Sequence, residues 1–147
     1  MTDAMIRTRK EWMSVLAKAV PARLAALLPD LPEHALLRAP EVGAVMVRGR
    51  IGATGAPFNL GEMTVTRCSV RLVGGQVGHA WVQGRDKAHA TRAAIVDAQM
   101  QTGDAARQAK SVIDLLAGEA AARAALRAGK AAATKVDFFT LVRGEDQ

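Results

Sequence analysis

Two groups of residues in this chain have the types that chemistry uses. The first is Arg48 and Arg50, set just ahead of a loop punctuated by Gly52, Gly55 and Pro57. Guanidinium forks and backbone N–H groups both suit phosphoryl oxygens, so the stretch has the materials of a phosphate cradle. It lacks the Gly-Lys-Ser/Thr ending of a P-loop, however, and no G-x-G-x-x-G joins a strand to a helix with an acid downstream. A loop that only turns the chain accounts for the same glycines. The second group is Cys68 with His79. Nucleophilic catalysis needs a thiol or hydroxyl beside a base, and these two residues could share one sheet face; a small buried thiol and a core histidine with a local hydrogen bond is the plainer account. His34 reads as a loop histidine and His89 as a helix-surface histidine. Their spacing supports no metal site, and none is expected.

The elements that must position these groups can be read from periodicity. Gly43–Arg50 alternates Val45 and Val47 with Met46, Arg48 and Arg50, which predicts a half-buried strand after a charge-bearing connector, Glu33–Pro40. Phe58 begins a second run in which Gly61 marks a bulge or a close backbone approach, with the strand proper over Glu62–Val73. Gly74-Gly75 signals a two-residue type I′ turn, because both central positions of such a turn need positive φ. That turn sets Val70 opposite His79 and Cys68 opposite Trp81. One face then gathers Cys68, Val70, Leu72, Val77, His79 and Trp81 against helices. The other places Arg67, Ser69 and Arg71 over Gly78 and Ala80, as a low, basic surface.

Around this sheet the pattern is helical. Trp12, Leu16, Val20, Leu24 and Leu27 or Leu28 lie on one face of an N-terminal arm, with Pro21 predicting a kink or a fresh helix that carries it in the first turn. Pro29 and Pro32 end the arm. Asp86 caps a helix opening at Lys87, Gly103 interrupts, Asp104 caps the next, and Gly129 stops it. The expectation is an α+β fold: an antiparallel three-stranded meander with helices on one face, a helical arm and an extended tail. It comprises a single domain, 1–147, divided into the arm (1–32), sheet region (43–84), helices (86–129) and tail (135–144).

Composition narrows the classes of function. Half of the 147 residues are hydrophobic, but many are alanine, and there is no tyrosine beside two Trp and three Phe. The core is therefore thin, with little transfer free energy per residue to set against chain entropy. Of the net charge of +6, an excess of three falls between Arg38 and Arg71, where Arg38, Arg48, Arg50, Arg67 and Arg71 face only Glu41 and Glu62. Without tyrosine, and with Trp12 and Trp81 far apart, the chain is poorly equipped to stack nucleic-acid bases, and no nucleic-acid partner is expected. One cysteine allows no internal disulfide, and no apolar stretch approaches a membrane span, so a cytoplasmic location without a membrane partner is expected.

The run Arg48-Gly-Arg-Ile-Gly-Ala-Thr-Gly-Ala-Pro-Phe-Asn-Leu-Gly-Glu-Met-Thr-Val-Thr-Arg67 closely resembles the G subunit of the bacterial carbon–phosphorus lyase system. Gly78-His-Ala-Trp-Val-Gln-Gly-Arg-Asp-Lys87 with His89-Ala90, and Lys135-Val-Asp-Phe-Phe-Thr-Leu-Val-Arg-Gly144, are similar to the same family in the same order. The resemblance implies an accessory subunit of an enzyme complex for phosphonate breakdown, assembled with H, I and J subunits. Such a complex transfers the ribose triphosphate of MgATP to an alkylphosphonate with release of adenine, and iron–sulfur radical chemistry in the J subunit later cleaves the carbon–phosphorus bond. The resemblance brings no catalytic residue to this chain, and no cofactor of its own; MgATP belongs to the complex. Arg48, Arg50, Arg67 and Arg71 are candidates for ligand contact, for partner contact, or for holding the fold. A free-standing binding protein for a phosphorylated ligand at the Gly-rich loop is the alternative. In the tail, Val136, Phe138, Phe139 and Leu141 would send bulk to both sides of an extended backbone. Either a partner covers one side or the tail is a strand of this domain.

Overall fold

The computed structural model describes residues 8–136. In order the elements are α1 (Arg9–Lys18), α2 (Pro21–Leu27), β1 (His34–Arg50), a 3-10 turn (Ile51–Ala53), β2 (Pro57–Leu72), β3 (Val77–Gln83), α3 (Lys87–Gln99) and α4 (Ala105–Ala133). The strands form one antiparallel sheet in the order β1-β2-β3, and α3 lies across β2 and β3 with α1, α2 and α4 packed behind it. The expected α+β meander is what the chain builds. Among the described residues no helix is long and apolar enough to cross a membrane.

The helix starts follow from local chemistry. Thr8 heads α1, its N–H donating to the Glu11 carboxylate at 2.7 Å, half of a capping box. Pro21 opens α2 at its first position, where the missing N–H would be unpaired in any case. Asp86 caps α3 by accepting the His89 N–H at 2.8 Å. Leu16, Leu24, Val70, Val82, Ile95 and Ile113 supply the bulk of the core, and Ala90, Ala93, Ala94 and Ala98 fill the rest. Those alanines let α3 settle directly on the sheet: a Cβ added at Gly78 would lie 1.9 Å from the Ala94 carbonyl oxygen and 2.6 Å from the Ala98 nitrogen. The thin core is made good by close approach.

One polar group ties these layers together. Asp97, fully buried on α3, accepts from Arg9 Nη2 at 2.7 Å and Nε at 3.2 Å, from Trp12 Nε1 at 2.7 Å, and from the His79 N–H at 2.9 Å. α1 and the edge of β3 thus converge on a single carboxylate. His89 is also buried, contrary to the helix-surface expectation. Its Nε2–H donates to the Leu16 carbonyl at 2.8 Å, which satisfies both groups inside the core.

The hairpin between β2 and β3 corrects the expected register. Only Gly75 has positive φ (91°); its N–H donates to the Leu72 carbonyl, and the Leu72 N–H donates to Gln76, both at 2.9 Å. This is a three-residue loop, a turn closed by one left-handed residue. The partners are therefore Val70 with Gly78, Ser69 with His79, Cys68 with Ala80 and Arg67 with Trp81. A slip of one residue exchanges the two faces of a strand. Gly78, Ala80 and Val82 point to the helices, while Val77, His79 and Trp81 share the open face with Arg67, Ser69 and Arg71.

Other boundaries differ too. β1 starts at His34 and takes in the expected connector, with register irregularities between Leu36 and Glu41. They accommodate Pro40, which cannot donate to a ladder, on an edge strand. The bulge expected at Gly61 lies beside it, because Val47 pairs with Gly61 and Arg48 with Asn59, leaving Leu60 over. α4 runs through Gly129 to Ala133; glycine inside a helix costs only about 1 kcal/mol against alanine, and its neighbours are strong helix formers. Asp104 precedes α4 without a side-chain capping bond. Of the tail, Val136 is described and exposed, whereas Phe138, Phe139 and Leu141 lie outside the described residues.

Candidate functional site

The open face of the sheet carries a linked polar row. Arg67 on β2 is ion-paired through Nε with Glu41 on β1, and Arg38 Nη1 meets the same carboxylate oxygen at 2.8 Å. These two arginines, Arg38 foremost, hold the Glu41 carboxyl below the usual carboxylate range. The guanidinium carbon of Arg67 stands 5.6 Å from the ring centre of its cross-strand partner Trp81, within cation–π range. Next along, Ser69 Oγ and His79 Nδ1 are 2.8 Å apart. Arg71 follows at the far end, over a shallow depression formed with Glu33, His34, Ala35 and Val73. Trp81 separates two further clefts, one lined by Lys10, Met13, Ser14 and His79, the other by Glu41, Val42, Ala44 and Val65.

The four candidate arginines do not converge. By the strand pairing, Arg67 and Arg71 share the open face, whereas Arg48 and Arg50 alternate onto the face that carries Thr66 and Cys68, far out toward the hairpin tip. Arg50 is spent on the loop itself: Nη1 donates to the Gly55 carbonyl at 2.9 Å, and the Gly55 N–H donates to Ile51 at 3.0 Å. The groups that would have cradled a phosphate close the turn instead. Of the set, Arg48 and Arg71 have no hydrogen-bonded partner among the described residues.

Nor do Cys68 and His79 meet. Cys68 points into the core, its thiol 3.5 Å from the Arg38 carbonyl and 3.9 Å from Thr91 Oγ1, and burial pushes its pKa up. A protonated, enclosed thiol is a poor nucleophile. His79 lies on the opposite face. The described residues contain no cluster of three or more His, Cys, Asp or Glu able to hold a metal.

Beyond the open face the structure has a second distinctive region. β3 pairs with β2 only as far as Val65 opposite Gln83, yet β1 and β2 stay paired out to Arg50 and Pro57. The outer half of that ladder is a two-stranded arm with Met46 51%, Ile51 76%, Phe58 40% and Leu60 65% exposed. The stretch Arg48–Arg67 runs from the end of β1 around the tip and along β2 to where β3 joins the sheet. Sequence reading missed Asp97 altogether, although an acid in the run Ala93-Ala-Ile-Val-Asp97-Ala is the signal that a buried network leaves in an apolar helix face.

Fold and face together define a small α+β domain, tied together at the buried Asp97, with a two-stranded arm that no other described element covers. The chain belongs to the family described as phosphonate metabolism protein PhnG, whose model matches residues 7–144. It is 46% identical over 147 residues to the alpha-D-ribose 1-methylphosphonate 5-triphosphate synthase subunit PhnG of Rhizobium meliloti (strain 1021), covering 98% of this chain and 94% of that protein.

Proposed function

We propose that the chain is an accessory subunit of a ribose 1-methylphosphonate 5-triphosphate synthase acting in phosphonate catabolism in the cytoplasm. The complex transfers the ribose triphosphate of MgATP to an alkylphosphonate and releases adenine, with H, I and J subunits as its partners. The observation that carries this reading is the uncovered arm. A two-stranded ribbon is marginal in water unless something packs on it, and Phe58 and Leu60, exposed together beside Gly49, are the kind of apolar surface that marks an interaction site. Family membership and the synthase-subunit relative support the same reading. The self-engaged loop speaks against a free-standing phosphate binder, since Arg50 and the Gly55 amide already have partners inside the chain.

The test is product analysis with MgATP and methylphosphonate. The purified chain alone should release no adenine, the partner subunits without it should be inactive, and adding it back should restore product. Turnover by this chain alone would overturn the accessory role. Equilibrium dialysis against labelled ATP addresses the alternative, for which tight binding by the isolated chain would be required.

A further inference from the structure

The two free edges of the sheet's β3 side are treated differently. Along β3 the outward backbone groups are taken up by helix side chains: the His79 N–H donates to Asp97 at 2.9 Å and the Val77 carbonyl accepts from Gln101 Nε2 at 2.8 Å. β3 then ends, and Gly84, with φ 90°, turns the chain away after donating its N–H to the Thr64 carbonyl at 2.9 Å. From there to the tip, β2 has a strand neighbour on one side only among the described residues. Thr64 and Leu72 both direct backbone groups toward the β3 side, so by the strand's period of two Glu62 does the same. Past the extra residue Leu60 the alternation resets, and Asn59 takes its place. An unpaired row of N–H and C=O groups is a template for another strand, and natural proteins blunt such edges unless they use them.

From this we infer that the Pro57–Met63 edge of β2 receives an extended segment of a partner subunit as an added strand, in the line that β3 vacates at Gln83. This rests on the subunit reading above and gives it a place. Main-chain hydrogen bonds to Glu62 and Asn59 supply register, and alternate side chains supply specificity. Apolar side chains of the incoming strand cover Phe58 and Leu60. On the face that carries Arg48, whose guanidinium has no partner among the described residues, an acidic side chain is the complementary choice. A second copy of this chain fits worse, because it would bring another Arg48 and Arg50 to the same ribbon.

The experiment is hydrogen–deuterium exchange on the full chain, alone and within the co-purified active complex. Amides of residues 58–64 should exchange at least about tenfold more slowly in the complex, since pairing closes an edge that is open in the free chain. Leu60→Lys, a charge at the edge beside the bulge, should reduce co-purification at least about tenfold while the remainder of the chain keeps its free-state exchange pattern. An active complex in which 58–64 exchange as fast as in the free chain overturns the strand-addition inference and leaves the subunit reading standing. Protection confined to the outer edge of β1 overturns it in the same way. Protection already present in the free chain and rising with its concentration assigns the edge to a second copy, which also overturns it. Failure of the chain to restore adenine release, or to co-purify at all, overturns the subunit reading and this inference with it.

Discussion

Removing the Asp97 carboxylate is the perturbation most diagnostic of how this fold is held. In Asp97→Ala, three donor groups lose their acceptor: the Arg9 guanidinium, the Trp12 indole N–H and the His79 backbone N–H. They are not equal. The Arg9 side chain is 45% exposed and returns to water at small cost, so the loss is carried by the indole and the amide, each left unsatisfied at about 1–3 kcal/mol. Adding a cavity term for the missing carboxyl brings the expected loss to about 3–5 kcal/mol. For a chain of this size that is a fall of roughly 6–20 °C in Tm. Asp97→Asn keeps the volume and one acceptor oxygen and should lose less. Urea denaturation of wild type, both variants and Trp12→Phe gives the numbers, with the double variant Trp12→Phe/Asp97→Ala closing a cycle. A coupling of about 1 kcal/mol or more between Trp12 and Asp97 is expected for groups in one hydrogen-bonded network. A loss under about 1 kcal/mol for Asp97→Ala, or strict additivity with Trp12→Phe, would refute the claim that this carboxylate joins α1 to β3.

Three further outcomes follow from the same packing. Gly78→Ala should cost about 3 kcal/mol, at the upper end for overpacking, because the two nearest atoms that the new methyl meets, the Ala94 oxygen and the Ala98 nitrogen, are helix backbone, with Ala98 Cβ next at 2.9 Å; a thermal melt like that of wild type would show that α3 does not press on β3. Cys68 should react with iodoacetamide at pH 8 at least about tenfold more slowly in the native chain than in guanidinium. Its raised pKa implies that the associated stability is complete below the unfolded value of 9.0 and is lost as pH rises above it toward the folded value, so the urea midpoint should fall on the alkaline side; equal labelling rates would refute its burial. Deleting residues 136–147 should leave the melt nearly unchanged but abolish co-purification with the partner subunits, if the tail with Phe138, Phe139 and Leu141 docks on a partner. Unfolding of the truncated chain, or intact assembly, would assign the tail a different role.

Much of the fold was legible because local signals agreed. The Asp86 cap, Pro21 at the head of α2, the strand alternation of Val45 and Val47, and the bulge beside Gly61 are each fixed by one residue's chemistry. What was not legible is the register of β3, and the reason lies in volume rather than polarity. Val77-Gly-His-Ala-Trp-Val82 alternates large with small residues, and a reading by hydrophobic bulk turns Trp81 inward. The opposing surface, however, is the alanine face of α3, which gains its contact area by approaching the strand until even a methyl at Gly78 would collide. Only the small set, Gly78 and Ala80, fits beneath it. Gly74-Gly75 could close either a two-residue or a three-residue loop, so the turn left the choice open and the helix made it. The consequence reaches the candidate site. With Trp81 turned outward, Arg67 lies against its ring instead of over Ala80, and it is drawn into the pair with Glu41. The surface expected to be low and basic is an aromatic-centred ridge whose charge Glu41 offsets only in part, since Arg38 and Arg67 share that one carboxylate. Arg71 lies at one end of that ridge beside the hairpin loop, while Arg48 is on the opposite face out on the arm, neither with a hydrogen-bonded partner among the described residues, so if the partner segment proposed above is acidic, the arm, where apolar surface and the β2 edge lie beside Arg48, is the more favourable place to meet it.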